Sequence, residues 1–587
     1  MRNRHLRAAG GIATLPAMRA LLLVSTLLLT ACASVPVASG GGESSEEAKL
    51  FADFLAGTYA SNVEDASARA SYYSRAFARA PEDPFIGRRA LTFALLDGDL
   101  ASARAVATDL ARVDAAEPMA RLVLGERAFA RGRPGEARRY FAGETADFTM
   151  GVAMRLLDGW AALEESGLAE AVASFERLDE PGLEPLRELQ IVVATLSAGD
   201  GDLESLLPRL DLVEESGLFG TEAALARADV LSRLGRSDEA LAFLRETADE
   251  ANNSESGPLA NRISALETGT GVTDPVSPRE GAASALTAPA FAVFARAGRV
   301  DAAEVYLRLA LDLDPGNDLA KILLGSLLET SERGDEALAL YRSIPDTSDY
   351  LVSARLAESN VLFDREADAD ALAVLEDVAR AKPTVITREA LGRARLIREN
   401  YAEALPIYDA LVNSLSEEQL RADTTPLFLR GVANVELDKF PDAVRDFRRV
   451  LELDPDNAEA LNYLGYSWVD RGENLREAFD MIERAVELEP DSGAITDSLG
   501  WAHYKLGNYP EARRHLERAA ELSPSSATII DHLGDVYWKL GRFREAGYQW
   551  RRALDLDPTE EEETTIRQKL RSGLDGTSAL AAPSAAP

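Results

Sequence analysis

The chain has 587 residues, a hydrophobic share of 46% and a formal net charge of −35. That hydrophobic share excludes bulk disorder. The acidity excludes a nucleic-acid binder, which gains affinity by displacing counterions with Lys and Arg, and a basic face for anionic lipid; its simplest use is solubility. One cysteine excludes an internal disulfide and a CxxC metal or redox site. Only 7% of residues are aromatic, and alanine and leucine fill the core-type positions, which suits closely packed helices.

The amino end begins with Arg2, Arg4, Arg7 and Arg19, then an apolar run, Leu21 to Leu29, too short to span a bilayer as a mature helix. Residues 1–31 therefore read as an export signal, with Met1 or Met18 as its start. Leu29-Thr30-Ala31-Cys32 resembles a bacterial lipobox, which implies acylation of the Cys32 thiol and cleavage before it. Several acyl chains hold a protein on a membrane durably where one does so only marginally. Ala33 is not the aspartate that retains proteobacterial lipoproteins in the inner membrane, so the resemblance implies a lipid anchor on the periplasmic face of the outer membrane. Residues 32–46 read as a tether reaching about 20 Å by random-coil scaling.

The body repeats. "LNYLGYSWVDRGENLREAFDMIERAVELEP", "TDSLGWAHYKLGNYPEARRHLERAAELSP" and "IDHLGDVYWKLGRFREAGYQWRRALDLDP" align, with Gly465, Gly500 and Gly534 spaced 35 and 34 residues apart. Pro490, Pro524 and Pro558 close the units at a 34-residue step. The pattern resembles the tetratricopeptide repeat, a pair of antiparallel helices, A and B. Glycine inside a helix costs about 1 kcal/mol against alanine, tolerable where helix B must approach closely. Gly431, Gly465, Gly500 and Gly534 on helix A pair in this reading with the small residues Ala443, Ala478, Ala512 and Ala546 on helix B. Ile482, Leu516 and Trp550 are expected to fill the gap towards the next pair.

The alanine recurs upstream at Ala404, Ala371, Ala337 and Ala303, and again with a glycine at Gly159/Ala171 and Gly125/Ala137. The expectation is an all-α fold, a right-handed solenoid of about fourteen helical hairpins. Residues 47–248 would form a degenerate amino-terminal solenoid and 281–558 a carboxy-terminal one, with 249–280 a loop or hinge between them. Residues 559–571 read as a charged capping helix and 572–587 as a disordered tail.

No catalytic constellation stands out. Of four histidines, His5 falls in the signal, while His503, His515 and His532 lie on separate helices with no HExxH spacing. "GTGV" at 269–272 has no strand before it to build a phosphate cradle. The reading is a non-enzyme with no metal, no cofactor and no nucleic-acid partner.

Residues at i, i+4 and i+7 share a helix face, and the tetratricopeptide resemblance implies that this face of helix A lines a groove. The groove residues are then Asn462 and Tyr466; Asp497, Trp501 and Tyr504; and Asp531, Asp535 and Trp538. Large aromatics in a groove anchor partner proteins. Chaperone-associated relatives clamp a terminal carboxylate with Lys, Arg and Asn; here only Asn462 matches, and the aspartates suit basic or mixed-polarity segments better.

Lipobox, helical halves and the 424–558 motifs together resemble the proteobacterial outer-membrane tetratricopeptide lipoproteins of the LbcA type, most strongly over 424–558. That resemblance implies an adaptor without activity of its own, which binds a periplasmic carboxyl-terminal processing protease and presents cell-wall hydrolases to it. The alternative is an assembly factor for an envelope machine such as a pilus, secretin or polysaccharide exporter.

Overall fold

The computed structural model describes residues 45–62, 65–250, 257–270, 274–290 and 300–574. The export signal, Cys32, most of the tether and residues 575–587 of the tail lie outside them. Among the described residues there are 31 α-helices, one short 3-10 turn and no strand. Within each unit most helices pack on the helix that follows them, an all-α solenoid arrangement.

The local chemistry repeats with the helices. Helix A starts at Asn457, Ser492 and Ser526, whose side chains accept from the backbone N–H of Ala460, Ile495 and Ile529. It ends in a left-handed turn at Gly472, Gly507 and Gly541, with φ of 70°, 77° and 75°. Helix B then runs back: Leu475–Leu488, Tyr509–Leu522 and Phe543–Leu554.

Close approach of the two helices explains the interior glycines. A methyl group at Gly534 would sit 2.5 Å from Trp550 Cδ1, and one at Gly465 would sit 2.8 Å from the Ala478 carbonyl oxygen. Ala443, Ala478, Ala512 and Ala546 are fully buried. Ile482, Leu516 and Trp550 lie directly against the glycine of their own repeat: Ile482 on Gly465, Leu516 on Gly500 and Trp550 on Gly534.

The described residues divide into two compact units, one ending at Thr384 and the other starting at Val385. The division thus falls well after 249–280. Within that stretch the chain forms a helix, Pro258–Glu267, while 251–256 and 271–273 lie outside the described residues. The reason lies in the packing of the next two helices. Pro278–Ala290 packs on Phe148–Ser166 and Glu184–Ala198, and Val300–Leu313 packs on Pro84–Leu96 and Pro118–Ala130. Gly281 sits where any side chain would strike the Trp160 ring, and Arg104 is ion-paired with Asp312. One hydrophobic core therefore joins the stretch from Tyr73 to Ala194 with that from Ala282 to Ala371, while residues between Leu189 and Leu259 form two smaller cores. In this unit the chain's own helices cover part of its helix-A face.

Candidate protein-binding face

In the carboxy-terminal unit the helices Ala458–Arg471, Gly493–Lys505 and Ala527–Lys539 stack as successive A helices. The repeat register sets Asn462, Asp497 and Asp531 at equivalent places, followed one turn on by Tyr466, Trp501 and Asp535.

Two of the three acidic or amide positions are answered from the next helix. Asp497 is fully buried, and His532 Nδ1 lies 3.0 and 3.1 Å from its carboxylate oxygens. Asp531 and Asp535 share the ammonium of Lys569, at 2.7 and 2.8 Å, which comes from the last helix, Glu560–Ser572. Asp535 also accepts from the Trp550 indole N–H at 2.9 Å. Burial, and then the neighbouring Asp531 charge, push the Asp535 carboxyl up to about 6 despite Lys569. Burial would lower the Lys569 ammonium, but the two carboxylates outweigh it and hold its pKa above the ordinary value.

Trp538 is just as enclosed. It packs on Phe543 and Trp550 at ring separations of 4.7 and 5.4 Å, and Gly573 closes against its ring. Asp497, Asp535 and Trp538 are therefore interior groups between helices, and Asp531 is half-buried in an ion pair. The basic partner expected for these carboxylates is supplied largely by the chain itself. The last helix does more than present a polar end: it carries the buried Ile566 and inserts Lys569.

The half-buried aromatics form a stack. The Trp501 ring lies 3.9 Å from His532 and 4.6 Å from Tyr504, nearly parallel to both. Lys505 sits 5.8 Å from the Trp501 ring centre and pairs with Asp470 at 3.1 Å.

Beside the stack is a cleft of about 210 Å³, walled by Phe440, Tyr463 and Tyr466 and rimmed by Glu436, Asp438 and Asp470. Arg471 also lines it, but its guanidinium rests 4.4 Å over the Phe440 ring and pairs with Glu473 at 3.5 Å. At the base, Asn462 is 5% exposed and its Oδ1 has no hydrogen-bond donor. Burial, and then the charges of Asp470 and Asp497, hold the Tyr466 phenol well above its ordinary pKa, so it stays neutral. Of the cleft's residues, only Asn462 and Tyr466 were expected from the sequence. Repeat register could have found Ser498, because it occupies the position of His532 one repeat earlier. Lys569 lies beyond the last repeat, where register gives no signal.

Among the described residues no group of His, Cys, Asp and Glu is placed to hold a metal ion. No helix of the described residues is long and apolar enough to cross a membrane.

Tetratricopeptide repeat profiles match residues 428–495 and 498–561, residues 294–349, and residues 118–140 and 221–246. A TPR repeat-containing protein of Pseudomonas aeruginosa, PA4667, is 30% identical over 198 residues, which is 34% of this chain and 33% of that protein. The CTR9 homolog of Arabidopsis thaliana is 23% identical over 213 residues, 35% of this chain and 19% of that protein. The match therefore spans a third of the length of the first relative and about a fifth of the second. Among solved structures, a chain of the APC/C hetero-tetramer Cut9–Hcn1 aligns over 94% of this chain and 99% of its own, at 16% identity and a TM-score of 0.35. MamA from Desulfovibrio magneticus RS-1 aligns over 30% of this chain and 97% of its own, at 20% identity and a TM-score of 0.25. Matched tetratricopeptide repeats therefore lie in both of its units.

Proposed function

We propose that this chain is a lipid-anchored scaffold on the periplasmic face of the outer membrane. Its carboxy-terminal repeats hold a carboxyl-terminal processing protease and bring cell-wall hydrolases to it. The observation that carries the binding role is the Tyr504–Trp501–His532 stack beside an open cleft on the helix-A face. Rigid aromatic surface with little rotamer entropy to lose is what protein partners use as an anchor. The anchor itself rests on Arg2 to Cys32, whose order of basic, apolar and small residues suits an acylated export signal.

The test places a photo-crosslinking amino acid at Tyr504 in cells carrying the full chain. The expected products are a carboxyl-terminal processing protease and cell-wall hydrolases, both lost when Trp501→Ala is added. Recovery of pilus, secretin or polysaccharide-export subunits alone overturns the adaptor reading. Separately, Cys32→Ser should release the protein from the membrane fraction or leave its signal uncleaved. A mature, membrane-bound Cys32→Ser protein overturns the anchor.

A further inference from the structure

The three equivalent positions Asn462, Asp497 and Asp531 differ in how they are answered. Asp497 receives His532, and Asp531 receives Lys569. The residue facing Asn462 by the same register is Ser498, which is too short to follow them. Its hydroxyl instead donates back to the Ala494 carbonyl at 3.1 Å, within its own helix. One donor is therefore missing from the row, and the cleft occupies its place, lined by both Asn462 and Ser498. Asn462 Oδ1 is left buried with no donor from the described residues, and an unmet buried acceptor costs about 1–3 kcal/mol.

The surroundings say what kind of donor fits. Asp438 and Asp470 stand at the rim and are exposed, and Asp470 holds Lys505 at 3.1 Å, so Asp438 is the rim carboxylate with the charge to offer. Tyr466 offers an aromatic wall for an alkyl stem or a guanidinium plane. The cation nearest in sequence, Arg471, is held over Phe440. We infer that the cleft between Asn462, Tyr466 and Ser498 is a subsite for one lysine or arginine side chain of a partner protein. That side chain gives an N–H to Asn462 Oδ1 and its charge to Asp438 at the rim, as Lys569 does for Asp531 and Asp535. Hydrogen bonds with a charged donor are roughly twice as strong as neutral ones, so charge, and not length alone, sets the preference.

The inference rests on the reading that partner segments lie along this face, and its test separates the two. The full chain in detergent is titrated by fluorescence polarisation with octapeptides identical except for a central Lys, Arg, norleucine, citrulline or Glu. Ionic strength is physiological, where screening acts over about 8 Å. The Lys and Arg peptides should bind at least about tenfold more tightly than norleucine and citrulline, and the Glu peptide least. Asn462→Ala should reduce the preference to within about threefold. Asp438→Asn, an exposed change that leaves packing alone, should also weaken it. Equal binding of the neutral isosteres, no binding by any peptide, or a preference unchanged in both variants overturns the subsite. A Tyr504 crosslink to a partner alongside equal isostere binding overturns the subsite alone and leaves the scaffold role standing.

Discussion

Lys569 Nζ lies 2.8 Å from Asp535 Oδ2, so a residue outside the repeating unit neutralises an interior carboxylate of the last repeat. Asp531 shares the same ammonium at 2.7 Å. Lys569→Met would leave two acidic groups enclosed with no cation. Removing one partner of a buried pair costs about 3–5 kcal/mol. We expect the lower end of that range at neutral pH, because Asp531 keeps some contact with water. Urea unfolding of the wild type and variant measures the loss; a cost below about 1 kcal/mol would mean the pair behaves as a surface bridge.

The pH dependence of that site has a definite sign. The Asp535 carboxyl moves from its ordinary 3.8 to about 6, through burial first and the Asp531 charge second. A carboxyl with a raised folded pKa holds its proton more readily in the folded state. Between those two values the folded chain binds more protons than the unfolded one, so this group's contribution falls as pH rises from about 4 to about 6 and is level above that. Asp535→Asn keeps an acceptor for the Trp550 indole and removes the titration. Denaturant midpoints of wild type and variant across that window should converge or diverge with pH, and parallel profiles would assign the slope to another group.

The helical repeat was legible because its period is nearly constant: Gly465, Gly500 and Gly534 mark the same close approach, and 3.6-residue periodicity sets Tyr466 and Trp501 on helix A. The place of the unit division was not legible. It depends on Pro278–Ala290 packing against Phe148–Ser166, more than a hundred residues upstream, and Gly281 beneath Trp160 carries no local pattern. The burial of Asp497, Asp535 and Trp538 escaped for a related reason. Periodicity puts a side chain on a face, but the partners that enclose these three, His532, Lys569 and Gly573, come from the next helix or from past the last repeat.

Register also exposes strain in the turns between helices A and B. Gly472, Gly507 and Gly541 take the left-handed conformation there, and the same place in earlier repeats holds Asp438 at φ 57° and Glu399 at φ 62°. A side chain in that region costs roughly 1–2 kcal/mol, part of which is regained through a less free unfolded chain. Glu399 is exposed, so Glu399→Gly removes little packing. It should raise stability by about 0.5–1 kcal/mol, read as a higher urea midpoint with unchanged slope; a lower midpoint would show that the glutamate side chain contributes more than its backbone loses.

The opposite change inside helix A should be costly. At Gly465 an added methyl meets Ile482 Cγ1 at 2.7 Å and the Ala478 carbonyl oxygen at 2.8 Å, and a carbonyl within a helix cannot rotate away. Alanine has the better helix propensity by about 1 kcal/mol, which offsets part of the clash but not a forced separation of the two helices. Overpacking of this kind costs about 1–3 kcal/mol, so Gly465→Ala should destabilise the chain by about 1–2 kcal/mol net. Gly392→Ala is the control. There the nearest atoms belong to the outer edge of the Tyr408 ring, at 2.9 and 3.0 Å, and a small tilt of the ring relieves them. Thermal unfolding of the two variants should rank Gly465→Ala as the less stable, and equal loss at both sites would show that backbone contact is not what demands glycine at 465.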